Sequence, residues 1–396
     1  MKKTIIILTM LILPFSIFGG SSTPPEPQIF DTFTAIGDSL SHGAQSMCID
    51  ENRQKKSFIA LMAQQMGTDF NQPLLKFPGF FVNLEDLGKG NIKWFEFVIP
   101  LSGGQRVDGY RDQDKMNNFA VSGATTGDVL NVRGGTGLFD IAKLVLGKNG
   151  DPQIDQALSK NPTFVSAWIG GNDVLGSALG TDPANLTDFE TFKAQYLELA
   201  RRISETSSVQ GVITSTLPDL TVLAYLQDAN DPDVPQGSKK AFWNTSVSDN
   251  DEVLDPQEME YLTQKTVEMN EEIKRIAAAN NWALMDGYNR LKDACTFGYV
   301  LKYADGTPGP ITLTGDYLGG LYSLDGFHPS TSGHAYMANL MIKAINNHYG
   351  QNLALVDEVR AAENDSLLQN PYDPRGVIDS WFGQTVQQFL GWFGIL

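Results

Sequence analysis

Five short apolar runs punctuate the chain, at 32–36, 118–121, 163–169, 211–216 and 282–286. Each ends in glycine, proline or polar residues, as strands do. Helical patterns alternate with them. Phe189, Phe192, Tyr196, Leu199 and Ile203 recur at alternating intervals of 3 and 4, which sets them on one helical stripe. Met259, Leu262, Met269, Ile273 and Ile276 make a second stripe. Met337, Leu340, Met341, Ala344 and Ile345 make a third. Strand–helix alternation of this kind predicts an α/β fold with parallel strands and crossover helices. Ligand sites in such sheets lie at the carboxyl ends of the strands, so the polar groups that follow each run are the ones to question.

Three long segments interrupt the alternation. Residues 67–117 are rich in aromatics: Phe70, Phe77, Phe80, Phe81, Trp94, Phe95 and Phe97. Residues 225–256 are polar and aspartate-rich, with Phe242 and Trp243 among them, and 296–324 are glycine-rich. Loops this long inside a compact domain tend to be functional or to carry small elements of their own. No linker composition and no repeat divides the chain. The expectation is one domain over 23–396, with its core over 32–346, these insertions, and a tail over 347–396. From Val377 the tail is strongly apolar. It either docks on the body or lies on a membrane surface, and the lack of Lys or Arg after Arg375 weakens the second reading.

At 396 residues the chain can bury a large core, and 42% hydrophobic with 19% charged residues suits a folded protein. The formal net charge of −17 argues against nucleic acid as a partner, because phosphate would be repelled. Lys2 and Lys3 precede an apolar stretch over 4–18, followed by Gly19, Gly20, Ser21 and Ser22. This is the pattern of a signal peptide over 1–22 and predicts export to the periplasm, the medium or the outer surface. The apolar stretch falls short of the ~18–20 residues a spanning helix needs, and Pro14 interrupts it. Cys48 and Cys295 either pair in an oxidising compartment or remain buried thiols, and they offer no zinc-binding spacing.

The candidate chemistry begins at Ala35-Ile36-Gly37-Asp38-Ser39-Leu40-Ser41-His42-Gly43. A serine on the turn after a strand can present its hydroxyl. N–H groups at the start of a following helix would face negative charge built up beside it. Taken alone the stretch is ordinary turn and capping sequence. Its partners decide. Of four histidines, His328 lies in Ser323-Leu324-Asp325-Gly326-Phe327-His328-Pro329-Ser330. Asp325, three residues earlier, can reach its Nδ1, fix the tautomer and stabilise the imidazolium. His42 lacks a carboxylate at a matching offset and reads as packing against the turn. His334 reads as structural, and His348 suits a helix C-terminus. Gly123 ends the second run, with an N–H able to approach a substrate. Asn172, in Ile169-Gly170-Gly171-Asn172-Asp173, ends the third with a side-chain amide. With the Ser39 N–H these would supply three donors to one oxyanion.

With these four blocks in order, the sequence resembles the SGNH (GDSL) hydrolase family. The matching residues are Gly37-Asp38-Ser39-Leu40, Gly123, Gly170-Gly171-Asn172-Asp173 and Asp325-Gly326-Phe327-His328-Pro329. The resemblance implies a flavodoxin-like three-layer α/β/α sandwich with five parallel strands and no cofactor or metal. It implies Ser39 as nucleophile, His328 as base and Asp325 as its orienter. Ser39 N–H, Gly123 N–H and Asn172 Nδ2 would form the oxyanion hole. The expected function is cleavage of carboxylic esters, with acyl transfer and sugar deacetylation as alternatives. A secreted binding module that has lost its chemistry is a reading of a different class. The aromatic 67–117 segment suggests a small-molecule or lipid-like ester with an apolar acyl group.

Overall fold

The computed structural model describes residues 28–81, 84–85, 104–137, 140–179, 183–242 and 253–373. The proposed signal peptide, Trp94, Phe95, Phe97, Trp243 and the apolar tail from Val377 lie outside the described residues. β1 (Phe33–Gly37) runs directly into one helical turn, α1 (Ser39–His42), followed by α2 (Glu51–Gln54) and α3 (Phe58–Met66). Next come α4 (Thr126–Asn131), α5 (Ile141–Leu146), α6 (Gln153–Ser159), β2 (Phe164–Trp168), α7 (Gly171–Leu179), α8 (Phe189–Ser204) and β3 (Gly211–Ser215). The chain continues through β4 (Leu226–Asp228), β5 (Lys239–Ala241), α9 (Pro256–Ala279), β6 (Ala283–Met285) and α10 (Gly287–Phe297). It ends in β7 (Tyr299–Lys302), β8 (Pro308–Leu313), α11 (Thr331–Tyr349), α12 (Glu358–Glu363) and α13 (Ser366–Gln369).

The central sheet is parallel, in the order β1-β2-β3-β6. Every residue of β1, β2 and β3 is buried, as a sheet covered on both faces requires. The second expected strand, 118–121, is an edge segment joined to β1 by one parallel bridge, Ala35 to Asn118. Ala35 N donates to Asn117 O at 2.9 Å, Phe119 N to Ala35 O at 2.8 Å and Val121 N to Gly37 O at 3.1 Å. Counting that segment, the order of strands in the sheet is 2-1-3-4-5, a doubly wound arrangement whose switch point lies beside β1.

Helices complete the three layers. α3 and α11 pack together, with Phe58 stacked on His334 and in edge contact with Trp168 of β2. α6 packs on β1, α4 joins α6 to α8, and α8 lies against α9. The long helices start on strong caps. Asp255 and Glu258 form a reciprocal capping box ahead of α9, with Pro256 in its first turn. Ser330 Oγ accepts from Gly333 N at the start of α11.

The insertions carry more structure than their compositions suggest. The 225–256 segment includes the antiparallel pair β4–β5, and β7–β8 spans much of 296–324. Phe70 stacks on Phe33 in the main core, while Phe80 and Phe81 pack edge to face. The described part of the tail docks on the body: Val356, Val359, Ala362 and Leu367 are buried, and Asn339 Nδ2 donates to Val356 O. No disulfide joins Cys48 to Cys295.

Candidate active site

β1 delivers Ser39 to the carboxyl end of the sheet. Asp38 caps α1, its Oδ1 accepting from Leu40 N at 2.9 Å. Ser39 is the first residue of α1, so its own N–H has no acceptor within the helix. The sharp turn depends on Gly37, at φ +154°. A Cβ there would lie 2.6 Å from Trp168 O and 2.7 Å from Ser41 Oγ.

The Asp325–His328 pair arrives from the far end of the chain. Asp325 Oδ2 is 2.8 Å from His328 Nδ1, and His328 Nε2 has no hydrogen-bond partner among the described residues. The carboxylate is buried and heavily satisfied. Oδ2 also accepts from Met47 N at 2.7 Å, and Oδ1 accepts from His328 N at 2.9 Å and Phe327 N at 3.2 Å. Burial pushes this carboxyl up. The His328 charge and hydrogen bond, with the backbone N–H groups of Met47 and His328, outweigh that and hold it below the ordinary carboxylate range.

Asn172 lies in the first turn of α7, where its Nδ2 donates one hydrogen to Ala124 O at 2.9 Å and retains the other. Asp173 ties the same two loops together, accepting on Oδ2 from Thr126 N at 2.8 Å and Thr126 Oγ1 at 2.9 Å. Gly123 adopts φ +81°, open to the cavity, and a Cβ on it would touch nothing within 4 Å.

All four blocks meet at one cavity of about 750 Å³, lined by Ser39, Gly123, Asn172 and His328 together. Asp325 stands behind His328 and is fully buried. Much of the wall is apolar: Phe80 and Phe81 from the 67–117 insertion, Ile141 and Leu146 from α5, Leu175 and Leu179 from α7. Asp128 and Asp140 also line it.

Sequence reasoning missed several supports. Ser46 and Met47 both hold left-handed backbone, at φ 52° and 58°. The strain is held by what their amides do: Ser46 N donates to Ser323 Oγ at 2.8 Å and Met47 N to Asp325. No local signal marks Ser46-Met47, because its purpose lies some 280 residues downstream. Asp38 is more than a cap: burial pushes its carboxyl up to about 6 despite the Leu40 N–H bond and the nearby His328. His42 does pack at the turn, but it also reaches Ser122, with Nδ1 at 3.2 Å from Oγ. His334 is structural as expected, its Nδ1 accepting from Phe58 N at 3.2 Å, and burial lowers it to about 3. His348 closes α11 with Nε2 3.0 Å from Asn281 O.

The chain matches no curated protein. Among solved structures, it resembles an alpha/beta hydrolase enzyme from the metagenome of Lake Arreo, Spain, at 15% identity over 80% of this chain and 96% of that one, with a TM-score of 0.39. It also resembles Axe2, an acetylxylan esterase from Geobacillus stearothermophilus, at 16% identity over 82% and 95%, TM-score 0.39. A third similar structure, described as a GDSL-like lipase from Parabacteroides merdae, gives 12% identity over 80% and 98%, TM-score 0.38. The decisive match is to the family itself. The description GDSL-like Lipase/Acylhydrolase fits residues 33–341, from the first residue of β1 into α11 and across all four blocks. The chain belongs to the GDSL-like lipase/acylhydrolase family of ester hydrolases.

Proposed function

We propose that this protein hydrolyses carboxylic esters with apolar acyl groups through an acyl-enzyme on Ser39. One observation carries the reading: a histidine held by a buried carboxylate leaves its second nitrogen unpartnered at the same cavity that Ser39 lines. Ser39 Oγ attacks the ester carbonyl carbon while His328 Nε2 takes its proton. Asp325 accepts from Nδ1–H throughout, which keeps Nε2 as the base and stabilises the imidazolium. The oxyanion is met by Ser39 N–H, Gly123 N–H and the free hydrogen of Asn172 Nδ2. His328 then gives its proton to the departing alcohol. Water repeats the sequence and releases the acid.

The apolar wall supports a longer acyl group over acetyl, because each methylene removed from water is worth ~0.8 kcal/mol. The test is a series of p-nitrophenyl esters of rising chain length, with Ser39→Ala as control and a fluorophosphonate probe to locate the nucleophile. Labelling at Ser39 and kcat/KM rising with chain length are expected. Activity surviving in Ser39→Ala, or confined to acetylated sugars, would overturn the proposal. Export belongs to the same proposal and rests on residues 1–22 alone. The protein recovered after export should begin just after Ser21 or Ser22, and an intact Met1 on that material would refute it.

A further inference from the structure

The chain leaves the edge of β1 two residues before Gly123, and a single turn bond, Ala124 N to Val121 O at 3.1 Å, closes over it. Val121 N donates to Gly37 O at 3.1 Å, and that is the last backbone bond joining this segment to β1 among the described residues. Gly123 then adopts a positive φ with open space around it. A donor in such a position would drift unless its neighbours were held. Both neighbours are held. Ala124 O accepts from Asn172 Nδ2 at 2.9 Å, which ties one side to α7. Ser122 Oγ lies 3.2 Å from Nδ1 of His42, which ties the other side to α1 and to the turn that carries Ser39.

The imidazole of His42 is suited to this. It is fully buried, and burial together with the Arg106 charge lowers it to about 3, so it is neutral wherever the enzyme works. A neutral ring carries one N–H. Its Nε2 has no partner among the described residues. Nδ1 therefore makes the ring's hydrogen bond, to Ser122 Oγ, as donor or acceptor according to the tautomer. Ser122 itself lines the cavity.

We propose that His42 and Ser122 are a pair of positioning residues that lock the Gly123 loop to the Ser39 turn and keep the two backbone N–H donors converged on one oxyanion. The inference rests on the proposed role of Ser39 and Gly123. It adds two residues that neither react nor hold the oxyanion themselves.

The test is a double-mutant cycle of Ser122→Ala and His42→Phe, with His42→Asn as the conservative variant whose amide can stand in for Nδ1. Each disrupting change should lower kcat roughly tenfold, the size of a modest misplacement of the reacting groups, with KM nearly unchanged. The double variant should be no slower than either single one. Affinity for a trifluoromethyl ketone, which mimics the oxyanion, should fall in parallel with kcat, and His42→Asn should recover most of the loss. A merely structural role would lower the melting temperature without that parallel. Full kcat in Ser122→Ala, losses that multiply in the double variant, or a rise in KM alone would each overturn the proposal. If His42→Phe does not fold, Ser122→Ala and His42→Asn carry the test. Fluorophosphonate labelling of the wild type separates the failures: no label on Ser39 refutes the nucleophile, whereas a labelled enzyme indifferent to Ser122→Ala refutes only the brace.

Discussion

Asp325 Oδ2 lies 2.8 Å from His328 Nδ1, and both carboxylate oxygens are filled by N–H donors from two distant parts of the chain. An amide cannot replace this group. With its NH2 on the Oδ1 side, asparagine would confront the N–H groups of Phe327 and His328. With NH2 on the Oδ2 side it would confront Met47 N–H and push the imidazole proton to Nε2, the wrong tautomer for a base. Asp325→Asn should therefore lower kcat by roughly 10⁴-fold, the scale seen when a triad aspartate is replaced by asparagine. Steady-state hydrolysis of a p-nitrophenyl ester measures it, and a variant keeping a tenth of wild-type kcat would refute the orienting role.

Asp38 predicts a pH effect of opposite sign to that of Asp325. Its folded pKa is pushed up to about 6, above the ordinary value of 3.8. Between those values the native state binds more protons than the unfolded chain, so stability falls as pH rises through the window. Above about pH 6 the buried charge costs on the order of 3 kcal/mol, from a shift of about two units at 1.36 kcal/mol each. Asp38→Asn keeps a capping oxygen for Leu40 N–H and removes the charge. Its stability gain over wild type, from urea titration, should be larger at pH 7.5 than at pH 4. An equal gain at both values would show that Asp38 is not the titrating group. The lowered Asp325 works the other way: its contribution is present above the unfolded carboxylate pKa and is lost as pH falls through its folded value.

The two thiols make a simpler prediction. Cys48 Sγ donates to Pro78 O at 3.2 Å, and Cys295 Sγ lies 3.4 Å from Tyr322 OH, so each has its own local partner. Dithiothreitol should leave the melting temperature unchanged, and unfolding without reductant should expose two titratable thiols. Finding none would establish a disulfide.

The sheet and the four blocks were legible because their signals are local. A buried strand followed by a glycine turn and a capping residue reads the same way wherever it occurs, and Asp325 announces itself three residues before His328. The stripe from Phe189 to Ile203 maps onto α8 for the same reason. What stayed hidden depends on contacts between distant residues. The strands β7 and β8 are short, half-exposed and flanked by glycine and proline, so they lack the fully buried apolar runs of the central sheet. The 118–121 run was legible as a strand, but not that it would be an edge joined to β1 by a single bridge. The bond from His42 to Ser122 joins residues 80 positions apart, and Met47 serves Asp325 across 278.

Asn172 should show two losses when truncated. Its free amide hydrogen is the proposed third oxyanion donor, and its other hydrogen holds Ala124 O beside Gly123. Losing one such donor costs ~2.7–4 kcal/mol in the barrier, a fall of about 10²- to 10³-fold in kcat. Asn172→Ala should reach at least that loss while Ser39 remains able to react with a fluorophosphonate, only more slowly. Near-normal turnover would remove Asn172 from the oxyanion hole.

Two glycines at the site fail for different reasons, and that difference is measurable. At Gly37 a Cβ would press into the carbonyl oxygen of Trp168 at 2.6 Å, and a backbone atom inside the sheet cannot give way. Gly37→Ala should therefore yield little folded protein. At Gly123 nothing lies within 4 Å, so the only penalty is the left-handed backbone, about 1–2 kcal/mol for a residue with a side chain. Gly123→Ala should fold with a modestly lower melting temperature. The loop can relieve that strain only by rotating, which turns the N–H away from the oxyanion. A loss of roughly tenfold or more in kcat is expected, with ground-state binding spared. Full activity in a folded Gly123→Ala protein would mean that this amide does not face the developing charge.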